Sequence, residues 1–533
     1  MNIYLVASGD SRLSANQKCW DAQVKMENLL TLAVKKAGAN IIRAHQYDPQ
    51  KQHGFIDSQK MGIQVFKDLV PFAPIIVAES VWQYSHHVLA GLSTHQGPIL
   101  TVANWSGEWP GLVGMLNLNG SLTKAGISYS TLWSKDFTDD FFLSNLKDWI
   151  KLGKIQHQNN HIKPFTKQLI PLEDFTKGIQ FAEDIRSSKA IMGVFDEGCM
   201  GMFNAIVPDH LLHPLGIFKE RLSQSALYAK MLTVSDEDAE GVLNWLLNKG
   251  MRFLWGDHEE KDLTKNQTLL QCKMYIAALR LSSEFGCDTI GIQYQQGLKD
   301  LVPASDLVEG LLNNQDRPPV YDEFGNELYQ GEALPHFNEV DECAGIDGLI
   351  TYKLWRSLGL KGENTLHDLR YGENFKNDKI DDFVWVFLIS GAAPPEHFVD
   401  TYKGASSERQ PEMYFRLGGG SLKGLSKPGH IVWSRIYVMD NMLHCDLGVG
   451  ECVELPVEEV NRRWEMTTPQ WPIMNAILKG VSQNQMMGQH KANHIQVVYT
   501  NSEEQAHKCC RIKAAVFHEL GIKVNFCGDI KLN

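Results

Sequence analysis

A repeating rhythm constrains this chain more than any other feature of its sequence. Short apolar runs at Ile3 to Ala7, Asn40 to Ala44, Pro74 to Ala78 and Pro98 to Ala103 alternate with helical periodicity, clearest from Gln17 to Lys36 and stopped by Gly38. Strands separated by helices cannot close as hairpins, so they return side by side through crossovers and build a parallel sheet. A polar stretch from Lys154 to Lys167 reads as a linker, after which the rhythm resumes at Ala190 to Phe195. In this second region Ser235 caps a helix that runs to Lys249 and stops at Gly250, and a helix over Leu269 to Phe285 precedes a strand at Asp288 to Gln293. Beyond about residue 349 the rhythm ends. Phe383 to Ser390, His430 to Met439, Met442 to Gly448 and His494 to Thr500 are strand-like and hairpin-spaced, with one late helix near Ala506 to Glu519. The expected fold is α/β, with two doubly wound domains at 1–165 and 166–348 and a mainly antiparallel β domain at 349–533.

The remaining bulk properties exclude several classes of partner. With 533 residues, 43% of them hydrophobic, the chain can bury more than one core. Its net charge of -12, without a block of like charges, gives no electrostatic footing for a nucleic-acid backbone. No apolar run is long enough to span a membrane, and the first residues lack a basic leader, so a cytoplasmic protein is expected. The ten cysteines are scattered, with no C-x-x-C pair, which fits reduced and mostly buried thiols.

The doubly wound pattern raises the question of a nucleotide, but the first strand is followed by SGDSRLSANQ, without G-x-G-x-x-G. The glycines of RLGGGSLKG fall in the β-rich third, where a tight turn explains them. More informative is PHFNEVDECAGIDG at 335–348, which crowds Glu339, Asp341, Glu342 and Asp347 together. An acidic cluster alone is most simply a solvated face. Asp368 in LHDLRYGE and His494 in KANHIQVVY add a further carboxylate and an imidazole, and two carboxylates with one imidazole suit a hard octahedral ion such as Mn2+ or Mg2+ rather than zinc. His490 and His494 are four residues apart, but the strand-like run after His494 argues against a helical histidine pair and leaves His490 in a loop or pocket. Trp82, Trp105 and Trp109 follow apparent strands and could stack on a sugar or simply pack. FKERLSQSALY, residues 218–228, reads as a solvated helix face that could offer Lys219 and Arg221 to an anion.

Taken in order, ANWSGEWPGLVG, IQYQQGLKD, the NEVDECAG and HDLR pair, YFRLGGGS, VELP, QWP and KANHI resemble the corresponding segments of the L-fucose isomerases and related L-arabinose isomerases. The resemblance implies two Rossmann-like N-terminal domains, a barrel-like C-terminal β domain, a homohexamer, and an aldose–ketose isomerase dependent on Mn2+ or another divalent cation. It implies that Glu339 and Asp368 are metal ligands and the acid/base pair, with His494 as third ligand. It further implies sugar contacts from Gln293, Ser390, Trp82, Tyr414, Trp471 and Asn493, with Trp82 entering a neighbouring subunit's site and Arg12 the guess for an N-terminal substrate arginine. The expected partner is a monosaccharide, L-fucose or D-arabinose first, then L-arabinose or a deoxy or 6-substituted hexose. A sulfonated sugar would require a basic contact, for which Lys491 and Lys219 are candidates. The competing expectation is a sugar-binding or sensory protein that performs no chemistry; an NAD-dependent oxidoreductase lacks the glycine fingerprint.

Overall fold

A computed structural model describes residues 1–532, and the chain is a mixed α/β protein. At the N-terminus five parallel strands lie in the spatial order Asn40–Arg43, Asn2–Val6, Ile75–Glu79, Ile99–Asn104, Ser130–Ser134. Alternate side chains enter separate cores. Ile3 and Leu5 pack with Met26, Leu30 and Trp149, whereas Val6, Ile75 and Val77 pack with Val65, Val88 and Leu92. Burial on both faces explains why these strands read as continuous apolar runs. The chain reverses direction of build between Asn2–Val6 and Ile75–Glu79, and ligands bind parallel sheets beyond the carboxyl ends at such a switch point.

A second parallel sheet holds three strands, Thr289–Ile292, Ala190–Phe195 and Ile217–Leu222. The expected cap is present, since Ser235 Oγ accepts from the Asp238 amide at 3.0 Å ahead of helix Asp236–Asn248. The segment read as a helix face divides instead into the strand Ile217–Leu222 and the helix Gln224–Met231.

The largest sheet has eight strands, in the order Gly429–Met439, His494–Thr500, Asn364–Lys376, Asp381–Leu388, Ile473–Leu478, Met442–Cys452, Lys523–Cys527 and Ile162–Pro164. Gly429–Met439 also pairs with Met442–Cys452, so the first six strands close into an antiparallel ring. Its last strand comes from the stretch read as a linker. Helices Glu342–Ser357 and Glu503–Glu519 pack against this sheet, their apolar residues sharing a core with Val432, Ile436 and Cys445.

Candidate functional site

A cleft lies where the three sheets meet, with about 40 Å³ of space inside and about 420 Å³ once the open solvent at its mouth is counted. Arg12 and Trp82 reach it from just beyond the first and third N-terminal strands, the two that flank the switch point. Met200 and Gln295 follow strands of the second sheet, and Glu339, Asp368 and Ser390 come from the C-terminal half.

Glu339 and Val340 both hold left-handed backbone, with φ of 58° and 55°. For a β-branched valine this is an outlier, a strain that persists only where surrounding structure enforces it. The bend turns the Glu339 carboxylate into the cavity, where Ser390 Oγ donates to its Oε1 at 2.9 Å. Asp368 and His494 stand directly opposite one another on paired strands. His494 Nε2 is 3.4 Å from Asp368 Oδ1 and 3.5 Å from Glu339 Oε2, and it is buried without a hydrogen-bond partner.

The other side of the imidazole is firmly held. Nδ1 lies 2.7 Å from Asp341 Oδ2, and Asp341 in turn accepts from Arg435 NH1 at 2.5 Å and NH2 at 3.2 Å. Burial alone raises the pKa of Asp341, but Arg435 and His494 prevail and hold it below the usual carboxylate range. Burial pushes Asp368 up to about 7, with His494 opposing and the charge of Glu339 adding to the rise. For His494 burial lowers the pKa, yet Asp341, Glu339 and Asp368 together raise it to about 10. In the absence of another cation, a protonated imidazole therefore holds the carboxylates together.

Among the described residues no group of three or more His, Cys, Asp or Glu side chains stands as a ready-made metal site. Glu339, Asp368 and His494 are the side chains there whose donor types would suit a hard divalent ion. Their gaps of 3.4 and 3.5 Å exceed only modestly the edge of about 3 Å for an octahedral ion with arms of about 2.1 Å. Nε2 faces the two carboxylates across that gap, while Asp341 anchors Nδ1 in the arrangement that orients metal-binding histidines.

The crowded carboxylates of 335–348 thus divide by partner. Glu342 takes Lys219 Nζ at 2.7 Å and the Val207 amide at 2.6 Å. Asp347 takes Lys513 Nζ at 2.7 Å, Ser434 Oγ at 2.7 Å and Thr351 Oγ1 at 3.0 Å. Only Glu339 of the four lines the cavity.

Trp82, Ser390, Tyr414 and Trp471 all line the cavity, whereas Gln293 and Asn493 stand behind its walls. Gln293 Oε1 accepts from the Gln295 amide at 3.2 Å, and Asn493 Nδ2 donates to Asp368 Oδ1 at 3.4 Å. Trp82 borders the cavity of its own chain, so its place there requires no neighbouring subunit. Arg12 also lines the cavity, with its charge matched by Asp10 at 2.6 Å and NH1 donating to Gln295 Oε1 at 2.7 Å. The candidate basic residues lie elsewhere. Lys219 is consumed by Glu342, and Lys491 Nζ reaches Tyr129 OH at 3.3 Å in a different depression. His490 Nε2 bonds the His494 carbonyl at 2.8 Å, which removes it from both the cavity and any ligand pair. Sequence reasoning missed Gln295 and Arg370 at the cavity, and could not assign Asp341; Gln295 shares QYQQ with Gln293, a signal that was available. No family model matches this chain, and no curated protein matches it.

Proposed function

We propose that this protein is a divalent-metal-dependent aldose–ketose isomerase acting on an open-chain neutral sugar through a cis-enediolate. The observation that carries the reading is that Glu339 and Asp368 line one cavity and that His494 Nε2 lies within 3.5 Å of both carboxylates. A divalent ion, Mn2+ or Mg2+, held by those three residues would supply Lewis acidity at two adjacent sugar oxygens.

The protein's own groups account for the proton movements. One carboxylate of the Glu339 and Asp368 pair removes the proton from C2 while the C1 carbonyl oxygen gains the electron pair. The proton returns at C1, the O2 proton passes to O1, and C2 becomes the carbonyl, so aldose and ketose balance atom for atom. Ser390 orients Glu339 for this work. Trp82 and Trp471 offer aromatic faces to the C–H surface of a sugar, and Tyr414 OH and Trp82 Nε1, both buried without partners, await hydroxyl groups. Gln293 and Asn493 act from behind, the first through Gln295 and the second on Asp368.

L-fucose, D-arabinose and L-arabinose stand first among the sugars of this reading; Lys219 and Lys491, the bases considered for a sulfonate, are engaged elsewhere. The same reading includes two Rossmann-like domains at 1–165 and 166–348, a barrel-like β domain at 349–533, a homohexamer and a cytoplasmic setting. Ketose formation from a panel of neutral aldoses, by EDTA-stripped protein and by the same protein given Mn2+, tests it. Metal-restored turnover supports the isomerase; tight sugar binding without conversion in the presence of bound metal returns the scaffold to a binding protein.

A further inference from the structure

One cation at the cavity has no assigned work. Arg370 is 2% exposed, lines the cavity beside Asp368, and forms no ion pair with any described residue. Its bonds go to neutral acceptors only: Nε to the Gly107 carbonyl at 3.0 Å, and NH2 to the Glu108 carbonyl and Thr468 Oγ1, each at 3.2 Å. Arg12, the other arginine at this cavity, is matched by a carboxylate. A guanidinium is charged at every accessible pH; the carboxylate of Asp368 attracts this one without forming an ion pair with it, so its hydrogen-bonding edge is left for a further negative charge at the cavity.

The backbone is shaped to put it there. The pairing of Asn364–Lys376 with Asp381–Leu388 slips between Leu369 and Tyr371, which leaves Arg370 as the extra residue of a β-bulge. Bulges beside active sites re-aim a side chain, and here both Asp368 and Arg370 reach the same cavity. The loop that receives the guanidinium is fitted closely under the strand, since Gly107 has φ of 76° and a Cβ there would lie 2.9 Å from the Tyr371 ring.

Building on the isomerase reading, we propose that Arg370 is a catalytic residue that stabilises the negative charge developing on the sugar oxygens as the enediolate forms. It is a fixed, pre-oriented cation, and no reorganisation is needed when that charge appears. A purely structural role, clamping the 107–108 loop, is the competing account, and the two differ in what they change.

Arg370→Gln, Arg370→Lys and wild type are compared for kcat, KM and thermal melting with Mn2+ present. The proposal expects Arg370→Gln to lose about 10²- to 10³-fold in kcat with KM changed less than about threefold. Arg370→Lys keeps the charge and recovers most of that loss. A kcat for Arg370→Gln within threefold of wild type overturns the proposal, as does a loss that appears in KM and melting temperature rather than in kcat. Should Arg370→Gln fail to fold, a folded Arg370→Lys that retains less than a hundredth of the wild-type kcat overturns it instead. Wild type inactive on every aldose overturns the isomerase reading and this proposal together, so the two failures are distinguishable.

Discussion

Two pairs of carboxylates, Glu342 with Asp347 and Glu339 with Asp368, have opposite surroundings. Beneath the cavity, Glu342 and Asp347 each meet a lysine ammonium at 2.7 Å, and Asp347 also takes two hydroxyl groups. At the cavity, Glu339 and Asp368 share the edge of one imidazole at 3.4 to 3.5 Å, with Ser390 and Asn493 as neutral donors, and Arg370 near Asp368 forms no ion pair with either. A buried carboxylate with its own cation is a structural element; one left short of charge is held ready for something that is not part of the chain. Asp341 joins the two sets, because it is neutralised by Arg435 and spends its second function on orienting His494.

Substitutions that interchange the two roles test the contrast. The largest effect belongs to Glu339→Gln, expected to lower ketose formation about 10³- to 10⁴-fold while the denaturation curve stays in place. Lys513→Met should do the reverse. It strands Asp347 without a cation, and chemical denaturation should register a loss of about 3 to 5 kcal/mol with turnover per folded molecule retained. Asp341→Asn frees the imidazole from its anchor and should weaken Mn2+ binding about 10- to 100-fold by calorimetric titration.

A third way of burying a carboxyl group is to keep its proton. Burial raises Glu309 to about 8, against the hydroxyl bond from Ser305 and with Glu339 adding to the rise, and Asp306 beside it is raised as well. A folded pKa above the ordinary value of 4.5 means that the stability associated with the protonated form is complete below pH 4.5 and is lost as pH climbs through 8. Glu309→Gln cannot ionise, so its stability should decline less than that of wild type between pH 5 and 8.5. Parallel melting curves over that range would contradict the assignment.

Much of this architecture was legible because it rests on local pattern. Strands of the N-terminal sheet are apolar on both faces, and Ser235 announces its helix. The first helix begins at Leu13, four residues ahead of the expected start, since Arg12 at its N-cap makes no side-chain capping bond and leaves no signal. The strand Ile217–Leu222 was hidden by Lys219, a charge that is buried only because Glu342 meets it from a distant segment. Glu339, Asp368 and His494 were picked out by donor chemistry and by resemblance, because spacing could not show that they converge. Asp341 could not be assigned because its partners lie 94 and 153 residues away. Arg370 escaped notice for another reason: a β-bulge aims it, and alternation along a strand does not reveal where the register slips.

The central claim is that the Glu339 and Asp368 carboxylates move a proton between C2 and C1 of a bound sugar. Its most direct test is to bring an aldose that is turned over to equilibrium in D2O with Mn2+-loaded wild type and Glu339→Gln, following C1 of the ketose by NMR. The account predicts that wild type produces ketose carrying deuterium at C1 and that Glu339→Gln produces almost none in the same time. Ketose formed by Glu339→Gln at the wild-type rate, or wild-type ketose that stays free of deuterium at C1 through full equilibration, would contradict it.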